Sequence, residues 1–258
     1  MTDAITPRPK TGLANIDVAI LAGGLGTRIR DVLGDTPKVL APINGRAFLD
    51  HVLDRIAAAG GRRVVLCLGH AADRVIAHLE ESPRDDLVIE TAIEPEPLGT
   101  AWALRFARPM LQSDPVMVMN GDTYLDADLS AFATDHRASG AAASLICVAV
   151  DSVARYGRVD VRPDGLIARF VEKDATDDGP GVVSGGVYLF SGELLDRLAS
   201  GRGVSLERDF LEQLPPGSVR AWIAEGATFV DIGTPASLRQ AATLLPKAGP
   251  TGRRVGAA

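Results

Sequence analysis

The 258-residue chain is short of several residue patterns that announce a function. It has two cysteines, Cys67 and Cys147, and no C-x-x-C pair of the metal-binding type. Both lie in apolar runs that read as strands, and two buried free thiols suit a reducing cytoplasm. The four histidines, His51, His70, His78 and His136, show no metal spacing and no Ser-His-Asp order. They read as helix-surface or structural residues. There is no basic excess: 27 Lys and Arg face 33 Asp and Glu, a formal net charge of -6. The basic stripe of a nucleic-acid binder is therefore missing. No apolar stretch approaches a membrane span, and residues 1–15 contain no apolar signal core. A cytoplasmic protein with neither nucleic acid nor membrane as partner is expected.

Two phosphate-binding signatures are absent as well. No window supplies G-x-x-x-x-G-K-[ST], which excludes a Walker-type ATPase. Gly24-Leu-Gly26 begins the dinucleotide pattern G-x-G-x-x-G, but its last position is Ile29, so a plain NAD enzyme does not fit. No internal repeat is visible, and no hexapeptide β-helix repeat follows the core.

The balance that remains, 46% hydrophobic and 23% charged, is that of a globular domain able to bury a substantial core. Strands are expected over 17–22, 64–68, 87–93 and 116–119. Between them come a helix from Phe48 through Ile56 ended by Gly60-Gly61, one through Val75, Ile76 and Leu79, and one over 101–111. This alternation argues a parallel sheet with helices on both faces. After a helix over 129–139 the pattern changes. A long strand over 142–150 precedes a hairpin, 158–161 with 167–172, turning at Pro163-Asp164-Gly165. A strand over 182–190 holds Ser184-Gly185-Gly186. Helices are expected over 192–198 and 206–214, short strands over 219–223 and 228–232. A last helix, capped by Thr234-Pro235, runs to about residue 245. Residues 1–15 read as a disordered lead and 246–258 as a disordered tail. The single domain between, 16–245, divides near residue 140.

The chain is organised around Leu21-Ala-Gly-Gly-Leu-Gly-Thr-Arg28. A buried strand runs into Gly23, Gly24 and Gly26, where backbone can approach a ligand closely. Thr27 adds a hydroxyl, and Arg28 and Lys38 add positive charge. Pro37 disfavours helix at Thr36 and holds Lys38 in an extended segment. Such a turn suits phosphate oxygens. Further loops, around Gly99 and around Asn120-Gly121-Asp122, follow strand ends of the same kind and rim one crevice. Asp122 reads either as a turn residue capping the next helix or as a magnesium ligand. Asp231, flanked by apolar residues, needs a partner: a metal shared with Asp122, a local arginine, or a backbone N–H. Lys173 reads as a second phosphate cation or as half of a surface charge pair.

These segments, with Pro42, Glu96-Pro-Leu-Gly-Thr100, Tyr156-Gly157, Glu172-Lys173, Gly185-Gly186 and Asp231-Ile-Gly-Thr-Pro235 in order, resemble the sugar-1-phosphate nucleotidylyltransferases. The resemblance spans about residues 17–245. It implies a Rossmann-like three-layer α/β sandwich with a mixed, mostly parallel central sheet. It implies a nucleotide half over 16–140 and a sugar-phosphate half over 141–245. Leu21, Ala22, Gly23, Gly24, Gly26, Thr27, Gly99 and Thr100 would contact the nucleotide. Arg28 would grip the triphosphate and Lys38 the phosphate under attack. Asn120, Gly157, Glu172, Lys173, Ser184 and Gly186 would bind the sugar phosphate. Asp122 and Asp231 would hold Mg²⁺. The motifs at Glu96 and Ala101 resemble the guanylyltransferase branch, implying GTP. Ala154-Arg-Tyr-Gly157 and Ser205-Leu-Glu-Arg-Asp-Phe-Leu211 most resemble the D-glycero-α-D-manno-heptose 1-phosphate guanylyltransferases. Mannose 1-phosphate guanylyl transfer, N-acetylmuramate 1-phosphate uridylyl transfer and a non-catalytic nucleotide-sugar sensor stay open, as does a homodimer.

Overall fold

The computed structural model describes residues 12–247 apart from Pro97, Glu172, Lys173 and Ala175. In chain order the strands are β1 (Asp17–Leu21), β2 (Pro42–Ile43), β3 (Arg46–Ala47), β4 (Arg63–Leu68), β5 (Val88–Ile93), β6 (Val116–Asn120) and β7 (Thr123–Leu125). They continue with β8 (Ala143–Val150), β9 (Arg158–Val161), β10 (Ile167–Val171), β11 (Gly181–Phe190), β12 (Val219–Ile223) and β13 (Phe229–Asp231). The helices are α1 (Arg30–Leu33), α2 (Phe48–Ala58), α3 (Ala72–Glu81), α4 (Thr100–Ala107), α5 (Leu129–Ser139), α6 (Gly192–Ser200) and α7 (Pro235–Leu244).

Seven strands form the central sheet in the order β12-β8-β11-β6-β1-β4-β5. All neighbouring pairs are parallel except those of β11, which runs antiparallel to both β6 and β8. Side chains alternate across the sheet. In β1, Val18 and Ile20 face a core built with Phe48, Leu49 and Val52 of α2 and Phe132 of α5. Ala19 faces the opposite core, with Leu104 of α4 and Leu195 and Leu198 of α6. The result is a helix–sheet–helix sandwich with a mixed, mostly parallel sheet, as the resemblance implies. The carboxyl ends of β1, β4, β5 and β6 share one edge, and the loops that carry the glycine motif and Asp122 leave from it.

Several local expectations hold. Thr234 caps α7, its hydroxyl accepting from the Ser237 N–H, with Pro235 in the first turn. The β9–β10 hairpin turns through Gly165, where the Leu166 carbonyl accepts from the Arg162 N–H at 2.8 Å. β11 carries a bulge between Ser184 and Tyr188 in its pairing with β8.

Others do not. The segment 206–214 is not a helix. Asp209 accepts from the N–H groups of Val204 and Ser205, both at 2.8 Å, and the Leu206 N–H donates to Thr100 Oγ1 at 2.8 Å. Those local bonds fold the segment into turns, and a 3₁₀ turn follows at Leu211–Gln213. Its leucines still bury at 206, 211 and 214, which explains the helical look of their spacing. Lys38 is not extended: Lys38–Leu40 form a 3₁₀ turn, closed by Leu40 N–H donating to the Pro37 carbonyl at 2.8 Å. Within the expected disordered lead, Leu13–Asn15 form a 3₁₀ turn and Leu13 is fully buried. Residues 1–11 and 248–258 lie outside the described residues.

Candidate active site

The β1 strand ends at Leu21, and the chain passes over the sheet edge through Gly23, Gly24 and Gly26 into a 3₁₀ turn at Thr27–Ile29. Ile29 anchors that turn in the interior, which leaves Thr27 and Arg28 at the surface of a cleft. The cleft has a volume of about 480 Å³. Leu21, Ala22, Gly23, Gly24, Gly26, Thr27, Arg28, Lys38, Gly99 and Thr100 all line it, so every expected nucleotide contact and both expected cations meet there.

A second cleft, of about 670 Å³, adjoins the first. Gly157, Ser184, Gly186 and Asp231 line it, and Arg28, Asn120 and Asp122 line both. The two clefts therefore meet at a seam made of one guanidinium, one amide and one carboxylate, all three from the chain before residue 140. Glu172 and Lys173, expected in the second half, lie outside the described residues.

The two aspartates are brought together by a ribbon that the sequence reading only half foresaw. β7 pairs antiparallel with β13, with Thr123 opposite Asp231, and the Ile232 N–H donates to the Asp122 carbonyl at 2.9 Å. Asp122 and Asp231 thus occupy one end of the same two strands. Each already holds a cation of the chain. Lys38 Nζ donates to Asp122 Oδ2 at 2.5 Å. Arg155 Nη2 donates to Asp231 Oδ2 at 2.7 Å, and the Gly233 N–H donates to Asp231 Oδ1 at 2.8 Å. For Asp231 the local arginine and the backbone N–H are therefore both realised. Burial, with the Asp231 charge and hydrogen bond beside it, pushes the Tyr156 hydroxyl up to about 12. Among the described residues, no three or more His, Cys, Asp or Glu side chains gather as a metal site.

Gly186 shows why a glycine is required on the second cleft. Its φ is +68°, and an added Cβ would sit 2.8 Å from Asn120 Nδ2. The bulge in β11 thereby brings backbone against the seam.

Sequence reasoning missed Glu94, which follows β5 and lines the first cleft. It is 7% exposed, and its Oε2 is buried without a hydrogen-bond partner among the described residues. Burial raises its carboxyl above the ordinary value, with the Leu98 amide pulling the other way. Glu94 Oε1 would lie 2.7 Å from a Cβ added at Gly23, so the glycine loop and this carboxylate are in close contact. The available signal was an acid directly after an apolar strand, at the edge where ligands collect. Also missed was the strap 204–207. The Ala101 N–H donates to the Val204 carbonyl at 2.9 Å, and Ser205 and Glu207 line the second cleft. One short segment therefore borders both halves.

No cysteine or histidine lines either cleft. Burial pushes both thiols up to about 12. His51, His78 and His136 hydrogen-bond to the Ile43 carbonyl, Asp50 and Ser144 respectively. Among the described residues no helix is long and apolar enough to cross a membrane.

The fold and the two adjoining clefts define an α/β protein with a two-part site whose parts share Arg28, Asn120 and Asp122. A family model described as nucleotidyl transferase matches residues 18–248, and the chain belongs to that family. The motif resemblance is borne out at that level. The chain is 34% identical over 223 residues to a mannose-1-phosphate guanylyltransferase of Mycobacterium tuberculosis, covering 85% of this chain and 62% of that protein. It is 32% identical over 219 residues to a D-glycero-alpha-D-manno-heptose 1-phosphate guanylyltransferase of Campylobacter jejuni, covering 84% and 94% respectively. The crystal structure of HddC from Yersinia pseudotuberculosis complexed with GMP-PN matches with a TM-score of 0.78 at 33% identity, covering 88% of this chain and 98% of that one. The chain thus spans less than two thirds of the mycobacterial relative's length.

Proposed function

We propose that the protein transfers a guanylyl group from GTP to a sugar 1-phosphate of manno configuration, D-glycero-α-D-manno-heptose 1-phosphate, releasing pyrophosphate. The observation that carries the choice of GTP is Glu94. A carboxylate with an unpaired buried oxygen, set in the cleft beside the glycine loop, matches a base that presents two adjacent donors. Guanine does so through N1–H and its 2-amino group. Uracil and adenine each offer one donor beside one acceptor, and that acceptor would face the carboxylate. Support for the heptose comes from the segments that resemble its guanylyltransferases. Arg155, Tyr156, Gly157, Ser205, Glu207 and Arg208 all stand on the second cleft.

The chemistry asks little of proton transfer. The sugar phosphate oxygen attacks the α-phosphorus in line, its P–O bond forms as the bond to pyrophosphate breaks, and the nucleophile is already an anion. The protein must place two polyanions together and offset their charge. In this reading Arg28, which lines both clefts, steadies charge developing on the transferring phosphoryl group. Lys38 stands on the same wall, and Asp122 holds its ammonium in place.

The donor set fits Mg²⁺: Asp122 and Asp231 offer hard carboxylate oxygens at one ribbon end, and Mg²⁺ takes one or two carboxylates plus phosphate oxygens. Each carboxylate has accepting capacity beyond its present partners, Lys38 and Thr123 for Asp122 and Arg155 and the Gly233 N–H for Asp231. Bound there, Mg²⁺ would supply Lewis-acid neutralisation of the phosphate oxygens. The buried reduced thiols suit work in the cytoplasm. Pyrophosphate release across four nucleoside triphosphates and a panel of sugar 1-phosphates, with and without Mg²⁺, tests the reading. The greatest rate is expected with GTP and the heptose phosphate. No release from any pair would favour a sensor on the same fold.

A further inference from the structure

Charges of both signs line the second cleft: Arg28 and Asp122 where it meets the first, and Arg155, Arg158, Arg208 and Glu207 away from the first. The Glu207 carboxylate is held from beneath. The hydroxyl of Tyr188 donates to Glu207 Oε1, and Tyr188 is itself only 1% exposed. The same hydroxyl lies 3.2 Å from Ser184 Oγ, which accepts from the Gly186 N–H at 3.2 Å. Burial and the Glu207 charge raise the Tyr188 hydroxyl well above its ordinary value, so it stays a donor at every working pH.

A buried tyrosine hydroxyl committed to one oxygen of a cleft-wall carboxylate fixes that carboxylate in one orientation. A carboxylate has about four acceptor sites, and Tyr188 uses one. It cannot serve the phosphate end of a sugar phosphate, because two anions repel. What it fits is a pair of neighbouring hydroxyls, each donating to it. We propose that Glu207 is the hydroxyl-recognising group of the second cleft, with Tyr188 as its positioning residue. A sugar 1-phosphate would then lie with its phosphate at Arg28 and its ring hydroxyls at Glu207. This rests on the reading that the second cleft takes a sugar 1-phosphate, and it adds which side chain reads the sugar.

Binding to the full chain, without nucleotide, tests it. Wild type, E207Q, E207A and Y188F are titrated calorimetrically with the heptose 1-phosphate, mannose 1-phosphate and inorganic phosphate. Inorganic phosphate probes Arg28 at the seam and carries no ring hydroxyls. Glu207→Gln keeps an oxygen for Tyr188 and so preserves the fold, which circular dichroism checks. Loss of one or two charge-assisted hydrogen bonds weakens the sugar phosphates by about 10- to 100-fold in E207A, with E207Q and Y188F in between. Inorganic phosphate is expected to bind all four proteins equally or the variants slightly more tightly. Equal sugar-phosphate affinity in wild type and E207A overturns the proposal. So does a parallel loss for sugar phosphate and inorganic phosphate, or a wild type that binds no sugar phosphate. A wild type that binds the sugar but transfers no guanylyl group overturns the enzymatic reading instead.

Discussion

Glu94→Gln is the sharpest perturbation the structure offers, because it changes one atom and reverses one hydrogen-bonding polarity. In the proposed complex both carboxylate oxygens accept from guanine. Hydrogen bonds to a charged group contribute roughly 1.5–3 kcal/mol each. Glutamine keeps one acceptor and turns an N–H toward a guanine N–H, so one bond is lost and a repulsion is gained. A loss of about 3–4 kcal/mol is expected, which is roughly 10²–10³ in kcat/KM for GTP. Two controls make the reasoning strict. Inosine triphosphate lacks the 2-amino group, so wild type is expected to handle it about tenfold less well than GTP. In E94Q that gap closes. A glutamine complements uracil, donor to carbonyl and acceptor to N3–H, so the UTP-to-GTP ratio rises steeply. The free protein changes in the opposite sense. Burial raises the Glu94 carboxyl above 4.5, so ionised Glu94 opposes folding. Native wild type keeps that proton to a higher pH than the unfolded chain does. Its stability is therefore full below about 4.5 and falls as pH rises through the raised value. E94Q has no such loss, so its Tm exceeds that of wild type at pH 8 and the gap vanishes at pH 4. Steady-state kinetics with GTP, ITP and UTP and thermal melts at the two pH values measure all of this. Unchanged nucleotide ratios in E94Q would refute the role given to Glu94.

Other consequences are less elaborate. Arg28→Ala removes an exposed side chain from the seam. It is expected to lower kcat by roughly 10³ with Tm unchanged, and near-normal turnover would sink the proposed mechanism. Gly186→Ala forces a side chain into positive φ against Asn120. It destabilises the fold by roughly 1–2 kcal/mol, lowering Tm by several degrees, and raises KM for the sugar phosphate more than for GTP. Arg155→Ala frees Asp231 of its ion pair. Mn²⁺ binding in the absence of nucleotide, read by electron paramagnetic resonance, is expected to tighten several-fold, and weaker binding would argue against Asp231 as a ligand. Chelation by EDTA is expected to stop pyrophosphate release, with full recovery on adding Mg²⁺.

The parts of this protein that were legible beforehand are those written in local chemistry. Apolar runs of four to nine residues mark the sheet, and the spacing of Phe48, Val52 and Ile56 marks α2, because burial on one face demands it. The hairpin at Asn44-Gly45, with φ of 51° and 81°, is equally local, since Asn-Gly tolerates positive φ at both turn positions. What no local pattern carries is pairing across long separations. β7 is three residues long, and only its partner β13, more than a hundred positions away, makes it a strand. Asp122 and Asp231 could be named from their motifs, but their present partners, Lys38 and Arg155, follow from the closed fold. The strap 204–207 shows the limit most clearly. Its leucines bury as a helix face would, yet Asp209 ties back to the N–H groups of Val204 and Ser205, and the Leu206 N–H is held by Thr100. That override is what carries Glu207 to the second cleft, above Tyr188. The two bonds to Asp209 hold the turn from which the Leu206 N–H reaches Thr100. Asp209→Ala is therefore expected to slacken the strap and to weaken sugar-phosphate binding without touching a ligand. Titration with the heptose 1-phosphate measures this, and unchanged affinity would mean that Tyr188 alone suffices to hold Glu207 in place.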